Sequence, residues 1–150
     1  MGLFSSLRNA KATPQHEVTA RAVITPAVFV MSVDGSIDMS EIRQLANSCA
    51  FSPIFAPIPG ERIIEMINEI AADFSKRTPD VVIGEAINTL SPGLRETAMA
   101  IAMRVALADG RLDDAEKYSL IMLSRDMGIS ENNAEVMLHV MAILQRGPGA

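Results

Sequence analysis

The sequence predicts an all-α protein, a single compact bundle of about seven helices. The first observation is compositional: 49% of the residues are hydrophobic but only 4% are aromatic, and there is no Trp. A core of Ala, Ile, Leu, Val and ten Met is more typical of helices than of sheets. The second observation is that apolar residues recur at helical spacing in segment after segment. A length of 150 residues favours one domain.

The third observation is an internal repeat. Asp34–Glu41 (DGSIDMSE) and Asp109–Glu116 (DGRLDDAE) lie 75 residues apart, half of the 150-residue chain, and each follows an apolar segment. In each copy, Gly can close the preceding helix in the left-handed conformation. Asp38 and Asp113 can then cap a new helix, with Glu41 and Glu116 completing a capping box. The repeat predicts two pseudo-symmetric helix–turn–helix units.

Residues 1–16 are expected to form a mobile leader before a first helix over Glu17–Val33, which Thr25 and Pro26 would restart. The second helix is expected over Met39–Ala50. Its apolar positions follow helical spacing along one face. These positions are Ile42, Leu45, Ala46 and Cys49.

Residues 51–60 (FSPIFAPIPG) cannot form a regular helix, because they contain three prolines. Such an apolar loop is either a lid packed over the core or an exposed patch that binds a partner. The third helix is expected over Glu61–Phe74. Its inward positions are Ile63, Ile67, Ile70 and Phe74.

Four helices are expected in the second half of the chain. The fourth begins at Pro79 and runs to about Leu90, and the fifth runs from Pro92 to the Asp109-Gly110 turn. The fifth is apolar on almost every side, which is typical of a buried helix. The sixth covers Asp114–Met127. Ser130 would cap the seventh, with Val136, Val140, Ile143 and Leu144 facing inward. Residues 17–146 would form the domain and 147–150 a tail.

The net charge of −5 and the pI near 5.0 argue against nucleic acid as a partner and favour cations or basic protein surfaces. A single cysteine excludes an internal disulfide and fits a reducing compartment. No transmembrane segment or signal peptide is recognisable, so a cytoplasmic location is expected.

Nothing in the sequence supports catalysis. His16 and His139 are isolated from each other and from a paired nucleophile, and Cys49 lies on the apolar face of the second helix. A single thiol cannot run a dithiol redox cycle. An unrecognised enzyme would require a deep pocket that includes His139 or Cys49.

The one notable cluster of polar residues consists of acidic side chains from the two repeats. Its members are Asp34, Asp38, Glu41, Asp109, Asp113 and Glu116. An EF-hand is rejected, because its first and third ligand positions would be Val30 and Ser32 in one copy and Val105 and Leu107 in the other. Three interpretations remain: helix caps without a ligand, an oxygen site for a divalent cation, and an acidic docking surface. Capping does not explain an Asp before each Gly, since a carboxylate opposes the dipole at a helix C-terminus.

The two copies of Asp-Gly-x-(Ile/Leu)-Asp-x-x-Glu, each behind an Ala/Val-rich helix, resemble the TerB tellurite-resistance proteins. Residues 104–129 (RVALADGRLDDAEKYSLIMLSRDMGI) carry the most specific part of the resemblance. It implies a compact all-helical domain with an acidic surface that bears both Asp-Gly turns. A divalent cation (Ca²⁺, Mg²⁺ or Zn²⁺) is proposed to bind there in the family. The proline-rich loop departs from the family pattern.

The family's setting is the inner face of the bacterial membrane, beside the membrane protein TerC and calcium-binding TerD-type proteins. The resemblance therefore implies a non-catalytic role in tellurite or stress resistance. Three hypotheses follow: an ion-responsive adaptor, a metal-independent interaction module whose Asp-Gly turns are purely structural, and an unrecognised enzyme. No organic cofactor is expected.

Overall fold

The computed structural model describes residues 12–33, 35–108, 110 and 112–150. Within these ranges the chain forms seven α-helices and no strand. The helices are α1 (Pro14–Ser32), α2 (Met39–Cys49), α3 (Gly60–Lys76), α4 (Pro79–Thr89), α5 (Pro92–Ala106), α6 (Asp114–Asp126) and α7 (Glu131–Leu144). The predicted helical bundle is thereby confirmed, with helix ends shifted by a few residues.

Helix α1 lies at the centre of the bundle. Its most extensive packing is against α5, and it also contacts α3, α4 and α6. Ala20, Val23, Ile24, Ala27 and Val28 are wholly buried along it. Small residues at Ala98 and Ala102 of α5 are also wholly buried, which lets two helices approach closely. The prediction that the fifth helix is a core helix is confirmed.

Helix α1 begins at Pro14, three residues before the predicted start. Thr13 caps it: the backbone N–H of His16 donates to Thr13 Oγ1 (3.2 Å), and the N–H of Thr13 donates to His16 Nδ1 (3.0 Å). His16 therefore belongs to the first turn of a helix, and its ring has a structural role there. Most of the predicted leader, residues 1–11, lies outside the described residues.

The predicted restart at Thr25 and Pro26 is wrong, because α1 is continuous through Pro26. The Thr25 hydroxyl donates to the carbonyl of Arg21 (2.7 Å) and caps no new helix. Both residues are buried, so packing of the flanking turns offsets the one backbone hydrogen bond that a proline removes.

The proline-rich loop is folded down as a series of turns. Ile58 N–H donates to the carbonyl of Phe55 (2.9 Å), and both side chains are buried in the core. This agrees with a lid packed over the core. Phe51, at the start of the loop, is 79% exposed instead.

The predicted inward face of the seventh helix is wrong. Val136, Val140, Ile143 and Leu144 are all exposed. The side chains that pack against the core are Ala134, Met137, Leu138 and Met141. Both sets have helical spacing, so periodicity alone could not choose between them. The contacts of α7 with α5 and α6 select the methionine-rich face.

Candidate functional site

The two Asp-Gly corners share the same backbone hydrogen bonds. Gly35 N–H donates to the carbonyl of Ser32 (3.1 Å), and Gly110 N–H donates to the carbonyl of Leu107 (2.9 Å), 75 residues later. Both glycines have positive φ, 109° and 78°. The prediction that glycine closes the preceding helix through a conformation that other residues avoid is confirmed for both copies. The repeat in the sequence is therefore a repeat in local structure.

An aspartate caps the next helix in both units, but among the described residues the predicted capping box is complete only in the first unit, where Glu41 bonds back to Asp38, and is not formed by Glu116. Glu41 N–H donates to Asp38 Oδ1 (2.9 Å), and Asp38 N–H donates back to Glu41 Oε2 (2.9 Å). In the second unit Glu116 N–H donates to Asp113 Oδ1 (2.7 Å). These bonds satisfy backbone N–H groups that would otherwise lack partners in the first turn.

Capping lowers the pKa of both aspartates. At Asp38 the largest cause is the Ser40 hydroxyl, which donates to Oδ1 (2.7 Å), followed by the backbone N–H of Glu41. At Asp113 the largest cause is the backbone N–H of Glu116. Each of these hydrogen bonds favours the charged carboxylate, so both aspartates are ionised at neutral pH.

Residues from the helix turns that flank both corners line one cavity. Glu41 and Glu116, one from each repeat, line the same space of about 170 Å³. The last turns of α1 and α5 supply its apolar wall, and Gln44 supplies an amide. Reciprocal packing brings the units together, because α2 contacts α5 and α6 contacts α1. A twofold relation between the whole units stays a prediction.

The six predicted site residues fall into three pairs. Glu41 and Glu116 line the cavity, whereas Asp38 and Asp113 act as N-caps. Asp34 and Asp109 lie outside the described residues. Among the residues that are described, no group of three or more acidic, His or Cys side chains is arranged to hold a metal ion. A cation site at the corners would therefore need oxygen atoms beyond the two glutamates.

The donor set that the sequence provides suits a hard cation. Ca²⁺ and Mg²⁺ prefer carboxylate, carbonyl and water oxygens, and Glu41 and Glu116 supply the first of these at one cavity. Gln44 is a cavity residue that sequence reasoning missed. Its position three residues after Glu41 in α2 places it on the same face of that helix, which is the signal that could have identified it.

Neither of the side chains considered for catalysis has a suitable setting. Cys49 is wholly buried, and burial raises the pKa of its thiol to about 12, so the nucleophilic thiolate is not populated at neutral pH. The prediction that Cys49 is a small buried hydrophobe is confirmed. His139 is exposed on α7. One candidate is thus in the core and the other on the surface.

Comparison with protein families is decisive for classification. Residues 20–138 match the family described as tellurite resistance protein TerB, which is well over half of the chain. The chain belongs to the TerB family. The match includes both Asp-Gly corners and α2–α6 in full, together with most of α1 and the first part of α7. The resemblance noted in the sequence is therefore confirmed.

For this TerB-family chain, comparison with curated proteins and with solved structures gave no match. Within the described residues, none of the helices combines the length and the hydropathy that crossing a bilayer requires.

Proposed function

We propose that this TerB-family protein is a non-catalytic binding component of a tellurite or stress-resistance system, and that its paired acidic corners bind a divalent cation. The observation that carries the proposal is the convergence of Glu41 and Glu116 on one cavity. Each glutamate brings carboxylate oxygens, which Ca²⁺ and Mg²⁺ prefer as ligands, to this cavity from a separate helix.

Asp34 and Asp109 are proposed as the further ligands, because each immediately precedes the positive-φ glycine of its corner. Asp38 and Asp113 would contribute mainly by fixing the start of α2 and α6. Their hydrogen bonds hold the helix turns from which Glu41 and Glu116 project. The cation would link the two units, so its binding would stabilise the fold and present one defined acidic surface.

The proposed partners of that surface are a TerC-like membrane protein and TerD-type proteins at the inner face of the membrane. A net charge of −5 favours basic partner segments. The protein would act as an adaptor whose partner affinity depends on the bound ion.

Thermal unfolding with and without Ca²⁺, Mg²⁺ or Zn²⁺ tests the cation. An ion at about one hundred times its Kd should raise the melting temperature by about 5–10 °C. The double variant Asp34→Asn/Asp109→Asn should lose that rise. Asp80→Asn/Asp126→Asn is the matched control, because it removes two exposed carboxylates elsewhere and should keep the rise. Absence of any response in the natural protein would contradict cation binding.

The alternative is a metal-independent interaction module whose Asp-Gly turns serve only as helix caps. The observation that favours it is that Asp38 and Asp113 have complete structural roles as caps without any ligand. It predicts no thermal response to ions, together with binding to a purified TerC-like or TerD-type protein. That binding should be lost in Glu41→Lys/Glu116→Lys and retained in Asp80→Lys/Asp126→Lys.

A further inference from the structure

A second cavity adjoins the acidic one and has the opposite charge. Its volume is about 500 Å³, and it lies between α2, the end of α5 and the start of the proline-rich loop. Gln44, Val105 and Ala108 line both cavities, so the two spaces are neighbours. Arg43 and Arg104 line only the second of them.

Of the eight described arginines, four have a side-chain partner in the protein, and Arg43, Arg104, Arg125 and Arg146 have none among the described residues. Arg21, Arg62 and Arg77 form ion pairs with carboxylates, and Arg95 donates to two backbone carbonyls. Within the described part of the chain, Arg43 and Arg104 make neither kind of contact. Arg104 is also half-buried, and it is the one charged residue in the Ala98–Ala106 part of α5. A guanidinium remains charged at any physiological pH, so two positive charges face one cavity without a partner there.

The duplication does not explain this pair. The residue 75 positions after Arg43 is Tyr118, and the residue 75 positions before Arg104 is Phe29. Neither arginine therefore has an equivalent arginine in the other repeat. Within the described residues, neither side chain forms a cap hydrogen bond or an ion pair.

The other lining residues offer contacts to both the charged group and the apolar part of a small organic anion. The amides of Gln44, Asn47 and Gln145 offer hydrogen-bond donors around the arginines. Phe51 also lines the cavity, and its ring is 79% exposed although it begins a loop whose other aromatic residue is buried. An exposed aromatic face beside arginines can cover a flat apolar group. The volume lies in the range of small-molecule sites.

We infer that the Arg43–Arg104 cavity binds a small organic anion, in which a phosphate or carboxylate group is attached to a flat apolar body. The two guanidinium groups would bind the anionic head, since their planar forks match both groups. Phe51 would cover the apolar body. This site requires no cation at the acidic corners.

The test is isothermal titration of the full chain with phenyl phosphate and with phenylacetate, in buffer freed of metal ions by a chelating resin and held at constant ionic strength. Binding of at least one of these anions is expected. Arg43→Gln and Arg104→Gln should each weaken it at least tenfold, and Phe51→Ser should weaken phenyl phosphate towards the affinity of inorganic phosphate. Arg125→Gln, which removes an exposed arginine on α6, is the matched control and should bind as the natural protein does.

Arg43 is exposed, so its replacement should leave the fold intact, and circular dichroism of each variant checks this. Arg104→Lys keeps the charge at the half-buried position and should bind more tightly than Arg104→Gln. The inference is overturned if neither anion binds. It is also overturned if Arg43→Gln/Arg104→Gln binds as tightly as the natural protein, or if neutral benzyl alcohol binds as tightly as phenyl phosphate. The metal-free buffer keeps this result separate from that of the proposed cation site.

Discussion

Glu41 and Glu116 occupy equivalent positions in two copies of one sequence motif and line the same cavity. Neither residue is near the other in the chain. Their convergence follows from the packing of α1 against α5, with α2 and α6 each crossing to the other unit. The duplicated motif thereby contributes one glutamate from each copy to the lining of a single cavity.

The first prediction concerns the corner glycines. Gly35 and Gly110 have positive φ, and a Cβ at either would meet no atom within 4 Å, so substitution strains the backbone without a clash. Gly110→Ala should lower the free energy of unfolding by about 1–2 kcal/mol. Gly84→Ala is the control: this glycine is inside α4 and also has open space, so its replacement should stabilise by about 0.5–1 kcal/mol. Urea unfolding measures the change in unfolding free energy for each variant. Changes of the same sign for Gly110→Ala and Gly84→Ala would contradict the role of positive φ.

The second prediction concerns the caps and pH. Because the folded-state pKa of Asp38 and Asp113 lies below the ordinary value of 3.8, each contributes stability that is fully present above that value. This contribution is lost as pH falls through the lowered folded pKa. Asp38→Ala and Asp113→Ala should therefore melt a few degrees lower than the natural protein at neutral pH.

In acid the difference between each cap variant and the natural protein should narrow, because the protonated cap bonds the backbone more weakly. Melting temperatures from pH 2 to 7 measure this. A gap that stays constant across the range would contradict the capping role. At neutral pH the melting temperature of Asp38→Asn, which keeps an oxygen acceptor without charge, should lie between those of Asp38→Ala and the natural protein.

The third prediction concerns the two faces of α7. Met137 packs against the core, whereas Val136 is 63% exposed. Met137→Ser should destabilise the protein by about 1–2 kcal/mol, and Val136→Ser should change stability by less than about 0.5 kcal/mol. Chemical denaturation compares them. If Val136 faced inward, as the sequence predicted, Val136→Ser would be the more destabilising of the two changes.

The fourth prediction concerns the ion pairs between α1 and α3. Arg62 contacts Glu17, Glu65 and Glu69, and Arg21 also contacts Glu69 (2.8 Å). Arg62, and then Arg21, lower the pKa of Glu69. Glu69→Gln should remove stability that exists above the ordinary glutamate pKa near 4.5 and disappears as pH falls through the lowered value.

These side chains are partly exposed, so the loss at neutral pH should be below about 1 kcal/mol, and salt should reduce it. Glu61→Gln, also on α3, is the control, because Glu61 has no ion pair within the described residues and should show little change. Thermal melts at low and high salt distinguish them. A loss that salt does not reduce would contradict the electrostatic account.

Local rules predicted most of the fold. Apolar spacing correctly placed Ile42, Leu45 and Cys49 in the core, and Ser130 caps α7 as expected. Tertiary packing decided the rest. Pro26 stays inside α1 because the turns on both sides are buried, and α7 has two apolar stripes from which only its neighbours select one.

The candidate site was predictable in part. The motif identified Glu41 and Glu116, but nothing local states that residues 75 positions apart share a cavity. Arg43 and Arg104 were not predicted as site residues for the same reason. Each is an ordinary helix residue in sequence, and only the crossing of α2 and α5 places both against one space.

The most direct measurement of the central claim is isothermal titration of Ca²⁺, Mg²⁺ and Zn²⁺ into the natural protein and into Glu41→Gln and Glu116→Gln separately. Glutamine can still complete the capping box at Asp38, and the cap at Asp113 uses the backbone N–H of residue 116, so both helix starts should survive. If the corners form one site, one ion binds per chain and either substitution weakens it at least tenfold. Two independent ions, each lost with only one of the substitutions, would contradict a shared site, and so would the absence of binding to any of the three ions.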